Sequence, residues 1–196
     1  MLAMILGMSG FALYLLYDVN SYTLQFRVFR FGFLAGSILI GVATLWQLYS
    51  AWRQGGFSDR TDGVLILMSA VAFGALIYCL FFALPFQETY VDPVNGRKVY
   101  DGGPYALCRH PGVICFFAMY LFMGLAALPA PFLANGMVLS LLNVAYAWFQ
   151  DRVTFPKSFF NYEEYRERVP FLIPTKDSIR LAGKTWRRSN GEEAKL

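Results

Sequence analysis

Charged residues are absent from 1–17, 31–52, 63–87 and 113–149, blocks that together make up half of the chain. Each is close to, or beyond, the ~20 apolar residues that a helix needs to cross a bilayer. An ordinary soluble domain is about one quarter charged. This chain of 196 residues is 15% charged and 57% hydrophobic, with a mean hydropathy of +0.43. It therefore reads as an all-α, polytopic membrane protein. Three cysteines (Cys79, Cys108, Cys115) and one histidine (His110) do not make a zinc site of the usual Cys/His kind, so no metal is expected. Cys79 and Cys115 lie in or beside apolar blocks, which argues against a disulfide framework. The net charge of +4 comes mainly from the C-terminal tail. That distribution suits an anionic bilayer surface better than nucleic acid.

The blocks predict about five spans. Residues 1–17 lack the basic start and Ala-x-Ala site of a cleaved signal, and read as a first membrane helix. Two more helices are expected over 31–52 and 63–84, with Gly32, Gly36, Gly41 and Gly74 allowing neighbouring backbones to approach. The block 113–149 is too long for one span. Leu128-Pro-Ala-Pro-Phe and Asn135-Gly136 read as a break, giving helices over about 113–127 and 136–150. The organisation expected is three helices in 1–87, a polar loop, hairpin and interfacial segment in 88–174, and a basic tail in 175–196. Residues 151–173 mix aromatic and charged side chains as an interfacial helix does, and 189–196 reads as frayed. Ten of the 17 Lys and Arg lie beyond position 150, which places the C-terminus in the cytoplasm and, with five spans, the N-terminus outside. Loops 18–30 and 53–62 carry two arginines each, so the tail alone sets the orientation. The pattern fits a bacterial inner membrane.

Chemistry concentrates in Tyr100-Asp-Gly-Gly-Pro-Tyr-Ala-Leu-Cys-Arg-His-Pro-Gly112. Gly102, Gly103 and Pro104 enforce a turn. Arg109 and His110 then stand at the mouth of a helix whose first turn holds Pro111. Backbone donors at a helix start attract anions, and a guanidinium adds a fork for a carboxylate or phosphate. A plainer reading makes Arg109 and His110 markers of the membrane boundary, and Tyr90, Tyr162 and Tyr165 interfacial anchors. Cys108 and Cys115 have no base nearby in sequence and read as packing residues.

Gly103-Pro-Tyr-x-x-x-Arg-His-Pro111, followed by a helical hairpin and Tyr162-x-x-Tyr165-x-x-x-Val169-Pro170-x-x-Ile173-Pro174, resembles the isoprenylcysteine carboxyl methyltransferase family and its bacterial relatives. The resemblance covers about 97–174. It implies S-adenosylmethionine bound at the cytosolic membrane edge, with a small or lipophilic methyl acceptor entering from the lipid. Carried over by position, the cofactor would touch Val99, Tyr100, Tyr105, Arg109, His110, Pro111, Gly112 and Val113. The chain departs from the family at Val113, where tyrosine is usual. The family's two consecutive acids, which help hold the cofactor, fall on Gln150 and Asp151, so the first is an amide here, and a one-residue slip would make Asp151 the functional acid. Tyr146 stands where the family has a substrate-side arginine. The transfer expected is an in-line displacement at the sulfonium methyl, which needs positioning rather than an acid–base pair.

Two other functions compete. A membrane reductase using NADPH would need a second phosphate-binding cluster, for which Arg97-Lys98 is the internal candidate. A membrane scaffold would keep the fold without the chemistry. The oligomeric state is open. A topology reporter fused after Leu196 should read cytoplasmic; an external signal would remove the polar loops from cytosolic S-adenosylmethionine.

Overall fold

The computed structural model describes residues 1–23, 26–57, 60–83, 97–127 and 131–192. Among them every regular element is helical. Helix α1 spans Leu2–Tyr22, and a 3₁₀ turn at Arg27–Phe31 leads into α2, Gly32–Arg53. Helix α3, Arg60–Ile77, continues as a π-helical turn, Tyr78–Phe82. After it come α4 (Pro104–Leu107), α5 (Pro111–Ala126) and α6 (Pro131–Phe149), the last running into a second π turn, Gln150–Thr154. Short helices α7 (Phe155–Ser158) and α8 (Tyr162–Arg168) precede α9, Lys176–Glu192.

Among the described residues four helices are long and apolar enough to cross a membrane: Leu2–Tyr22, Arg27–Arg53, Asp62–Phe82 and Pro131–Ser158. The fifth expected span is α5, whose 16 residues rise only about 24 Å at 1.5 Å each, short of a ~30 Å hydrocarbon layer. The chain divides into two compact units, Met1–Phe73 with Phe116–Thr154, and Gly74–Cys115 with Phe155–Leu196.

In the first unit α1 lies along α2 and touches α6, and glycines set the closeness. A Cβ on Gly10 would come within 2.8 Å of the Gly36 carbonyl oxygen, and one on Gly36 within 2.6 Å of the Gly10 carbonyl oxygen. Gly7 makes the same allowance for Leu139, at 2.5 Å. Without a hydrophobic force between helices in lipid, such close backbone contact supplies dispersion energy instead. Tyr14 and Ser37 share a hydrogen bond of 2.9 Å across this seam. Ser69 on α3 donates to the Met119 carbonyl of α5 at 2.9 Å, and the Thr44 and Tyr120 hydroxyls join α2 to α5. Phe11 meets Phe116 and Tyr146 edge-on.

Three expectations need correction here. The first helix does not stop at Asp18. It runs on to Tyr22 because Asp18 and Asn20 are buried and bonded rather than solvated. Asn20 clasps the next turn, donating to the Phe26 carbonyl at 3.1 Å and accepting the Phe26 N–H at 2.8 Å. Asn135-Gly136 is no turn but lies inside α6. Gly136 is small because the Tyr120 ring fills the space, 2.9 Å from where a Cβ would be. Of the glycines expected at close contacts, Gly32 and Gly36 are, whereas Gly41 and Gly74 face open space.

The interfacial helix expected over 151–173 is broken: its start is the π turn that ends the first unit, and in the second unit it continues as α7, α8 and an irregular stretch of bends. Tyr162, Tyr165 and Val169 form its buried core, with Val99, Phe155, Phe159 and Leu181 packed around them. The two tyrosines are 1% and 2% exposed, so neither is an interfacial anchor. The basic tail is helical from Lys176 through Glu192, which takes in 189–192 of the part expected to fray, while 193–196 lie outside the described residues; α9 packs on α4. Tyr90 and the sequence break at 128–130 lie outside the described residues.

Gly36→Leu should drive a side chain into the Gly10 backbone, costing at least the 1–3 kcal/mol typical of overpacking. Thermal unfolding of the detergent-purified protein should fall accordingly, while Gly41→Leu should leave it unchanged.

Candidate functional site

The loop from Val99 to Val113 lies wholly in the second unit, and its shape begins with one dihedral. Gly103 has φ +54° and ψ −130°, a conformation that side-chain-bearing residues avoid. Pro104 follows as the first residue of α4, its fixed φ suited to a helix start. The turn closes through Tyr105 N–H to Gly102 O at 3.1 Å and Ala106 N–H to Gly103 O at 3.1 Å. Tyr100 lies over Gly102, its oxygen 2.5 Å from where a Cβ would stand, and meets Tyr105 edge-on at 6.4 Å.

Arg109 ties this loop to the segment after α8. Its backbone N–H donates to the Pro170 carbonyl at 2.9 Å, and its Nη1 donates to the carbonyls of Arg166 (2.9 Å) and Val169. The guanidinium also sits 5.8 Å over the Phe171 ring. Nη1 therefore holds backbone rather than offering a carboxylate fork. Arg-His-Pro and Val-Pro, 60 positions apart in sequence, meet through these bonds. Two more bonds fasten the same joint: the Tyr165 hydroxyl donates to the Tyr105 carbonyl at 2.7 Å, and the Tyr105 hydroxyl to the Cys79 carbonyl at 2.9 Å. Val99 N–H donates to Asn161 Oδ1 at 2.8 Å, and Phe160 N–H to the Arg97 carbonyl at 3.2 Å. The Arg168–Asp101 ion pair, 3.1 Å and largely exposed, adds little.

His110 follows the clasp and is 8% exposed. Its ring stacks on Phe155 at 5.7 Å and 10°, and meets Phe171 edge-on at 5.1 Å. Its carbonyl accepts the Val113 N–H at 3.1 Å, closing the first turn of α5. Pro111 opens that helix, and Gly112 lies against Leu76 and Leu80. The loop thus presents an imidazole in a fixed plane, a helix start and two tyrosine rings. Cys108 is fully buried, and burial pushes its thiol up to about 11, which suits packing rather than nucleophilic attack. All three cysteines are free thiols. Burial likewise raises the Tyr165 phenol well above its ordinary range.

Tyr146, Gln150 and Asp151 belong to the first unit. The Gln150 amide donates to Asp18 Oδ2 at 3.0 Å and to the Tyr146 hydroxyl at 2.8 Å, and Tyr146 turns its own hydrogen to Asp18. Asp151 is 2% exposed on the π turn. A buried acid near a span end marks a functional candidate. Asp18 does not stand out in the sequence, where its charge reads as the end of the first helix. Its signal was the run Val19-Asn20-Ser21-Tyr22, which continues the helical pattern past it. Phe155, Asn161 and Phe171 were also missed, since aromatic and amide side chains carry no charge pattern.

No family model, curated protein or solved structure matches the chain. The resemblance in the Arg-His-Pro and Val-Pro segments therefore rests on those residues alone. Among the described residues no group of His, Cys, Asp and Glu could hold a metal ion.

Gly103→Ala and Arg109→Lys should each lower the thermal unfolding temperature. The first adds strain of about 1–3 kcal/mol, and the second loses a charged clasp worth about 1.5–3 kcal/mol. Unchanged unfolding of Arg109→Lys would mean the carbonyl clasp does not hold the loop.

Proposed function

We propose that the chain is a membrane-embedded methyltransferase that uses S-adenosylmethionine to methylate a small or lipophilic thiol, carboxylate or amine. The observation that carries this reading is the clasp of Arg109 on Arg166, Val169 and Pro170. It holds a helix start and an oriented histidine where a plain membrane boundary would need neither. The donor set fits the cofactor. The helix start at Pro111–Gly112 suits a carboxylate, His110 adds a polar edge between two rings, and the faces of Tyr100 and Tyr105 suit an adenine or a sulfonium. Val99 and Val113 would line its apolar sides.

S-adenosylmethionine, when bound, supplies an electrophilic methyl group. The chain's own residues orient and exclude water. Phe155 and Phe171 hold the imidazole plane, and Gly103 with Arg109 keeps the loop from relaxing. An acceptor that arrives as an anion needs alignment and desolvation, so the absence of an acid–base dyad is compatible with transfer. Location in a bacterial inner membrane with the C-terminus in the cytoplasm would give the loop access to cytosolic S-adenosylmethionine.

A second reading, a membrane scaffold, is favoured by one observation. Val99 N–H, the Tyr105 hydroxyl and Arg109 Nη1 all bond within the second unit, as a purely structural loop would have them. Calorimetry separates the two. The detergent-purified protein should bind S-adenosylmethionine and S-adenosylhomocysteine saturably, NADPH should not bind, and His110→Ala should abolish binding while the protein still folds. Binding of NADPH alone would establish the reductase, and binding of none would establish the scaffold.

A further inference from the structure

At one end of the first unit, the start of α1, the last turns of α2 and the start of α6 line a half-open cavity of about 120 Å³. No ionisable side chain lines it; its polar residues are Gln47, Ser50, Gln54 and Asn135. Gln54 is committed locally, its amide nitrogen donating to the Ser50 carbonyl (3.1 Å) and hydroxyl (2.9 Å). Gln47 differs. It is 6% exposed, and both its Nε2 and Oε1 are buried with no hydrogen-bond partner. Leaving a buried amide unsatisfied costs about 1–3 kcal/mol for each group. Fully apolar residues at this α2 position would pack without that cost, and neighbours Ala43 and Ala51 on the same helix do so. The position of the cavity along the helix is also marked. Trp46, Tyr49 and Trp52 project from the same turns of α2, 53%, 53% and 65% exposed. Such aromatic side chains settle at head-group depth.

We propose that this cavity binds the uncharged, hydroxylated head of a small amphiphile, with Gln47 as its principal hydrogen-bonding partner. A turn about the terminal torsion of Gln47 presents one donor and one acceptor to the cavity, and a glycerol-type diol returns one of each. The lining side chains carry no charge to neutralise a phosphate, carboxylate or ammonium, and the amino group of Met1, a residue 95% exposed, stays solvated, so a charged head is selected against. The volume accommodates a unit of about the size of benzene, which fills an engineered cavity of roughly 150 Å³. Trp46 and Phe132 at the wall supply apolar surface for the first carbons of a chain. The site is independent of the methyltransferase reading, since it uses none of the residues from Val99 to Val113.

The test uses the full chain in phosphatidylcholine nanodiscs and detergent, with 1-monooleoylglycerol, free glycerol and oleate as probes, read by native mass spectrometry and thermal unfolding. Saturable binding of monooleoylglycerol that exceeds oleate at least about tenfold, a difference of 1.4 kcal/mol, is expected. Binding of monooleoylglycerol without glycerol assigns a lipid source, and equal binding of both assigns a water-soluble polyol. Gln47→Leu should lower the affinity at least about tenfold, by 1.4 kcal/mol, and raise the unfolding temperature of the ligand-free protein. Ala3→Leu, which fills the cavity and keeps Gln47, should also abolish binding. Three results would overturn the proposal: no saturable binding of either neutral probe, binding unaltered by both substitutions, or a Gln47→Leu protein less stable than the parent. The last would mean that the amide is satisfied within the fold.

Discussion

Hydrocarbon offers no hydrogen bonds, and that single deficit shapes this chain. Every backbone amide in the apolar blocks must find its partner within its own helix, so α1, α2, α3 and α6 are long, regular and nearly free of charge. Helices so built cannot associate by hiding apolar surface from water. They meet instead where glycine lets backbones touch, at Gly10 and Gly36, where it admits a side chain, Leu139 at Gly7, and where a hydroxyl reaches across, at Tyr14–Ser37, Thr44–Tyr120 and Ser69–Met119. The same deficit explains why Asp18 is tolerated. Its carboxylate is bonded by an amide and a phenol from α6 and its π turn, so burial does not leave it bare.

The second unit answers a different problem, that of holding irregular backbone in one shape. Its loop has no long helix to rigidify it, and it gains order from tertiary hydrogen bonds instead. A single cation, Arg109, satisfies carbonyls exposed where α8 ends, and those carbonyls in return fix where His110 stands. Tyr162 and Tyr165 form the floor beneath, so aromatic residues that a sequence places at a membrane surface here make a small water-excluding core.

Much of the architecture is legible in the sequence because charge-free blocks of bilayer length admit few alternatives. The boundaries were less so, and the failures share a cause. Asp18, Asn135-Gly136 and Tyr162 each carry a local signal, for a helix end, a turn and an interfacial anchor, and each is overruled by a partner distant in sequence. The partners are Gln150 for Asp18, Tyr120 for Gly136 and Val99 for Tyr162. The loop residues fared better, since Gly103 and Pro104 act through their own backbone geometry. What Arg109 does there was not legible, because a carbonyl acceptor leaves no trace in the sequence.

The π turn at Gln150–Thr154 has a further consequence for how this chain varies in length. A π turn holds one residue more than an α turn. Each residue advances an α-helix by about 100°, so the turn resets which side chains share a face. Removal of one residue here would tighten the turn to α and carry the residues that follow Gln150 within it round the axis relative to Tyr146. Elsewhere in α6 the same deletion would rotate an entire apolar span. Spacing counted across this point therefore does not conserve facing, and the register of the polar residues at the end of α6 is a property of the backbone as much as of their order.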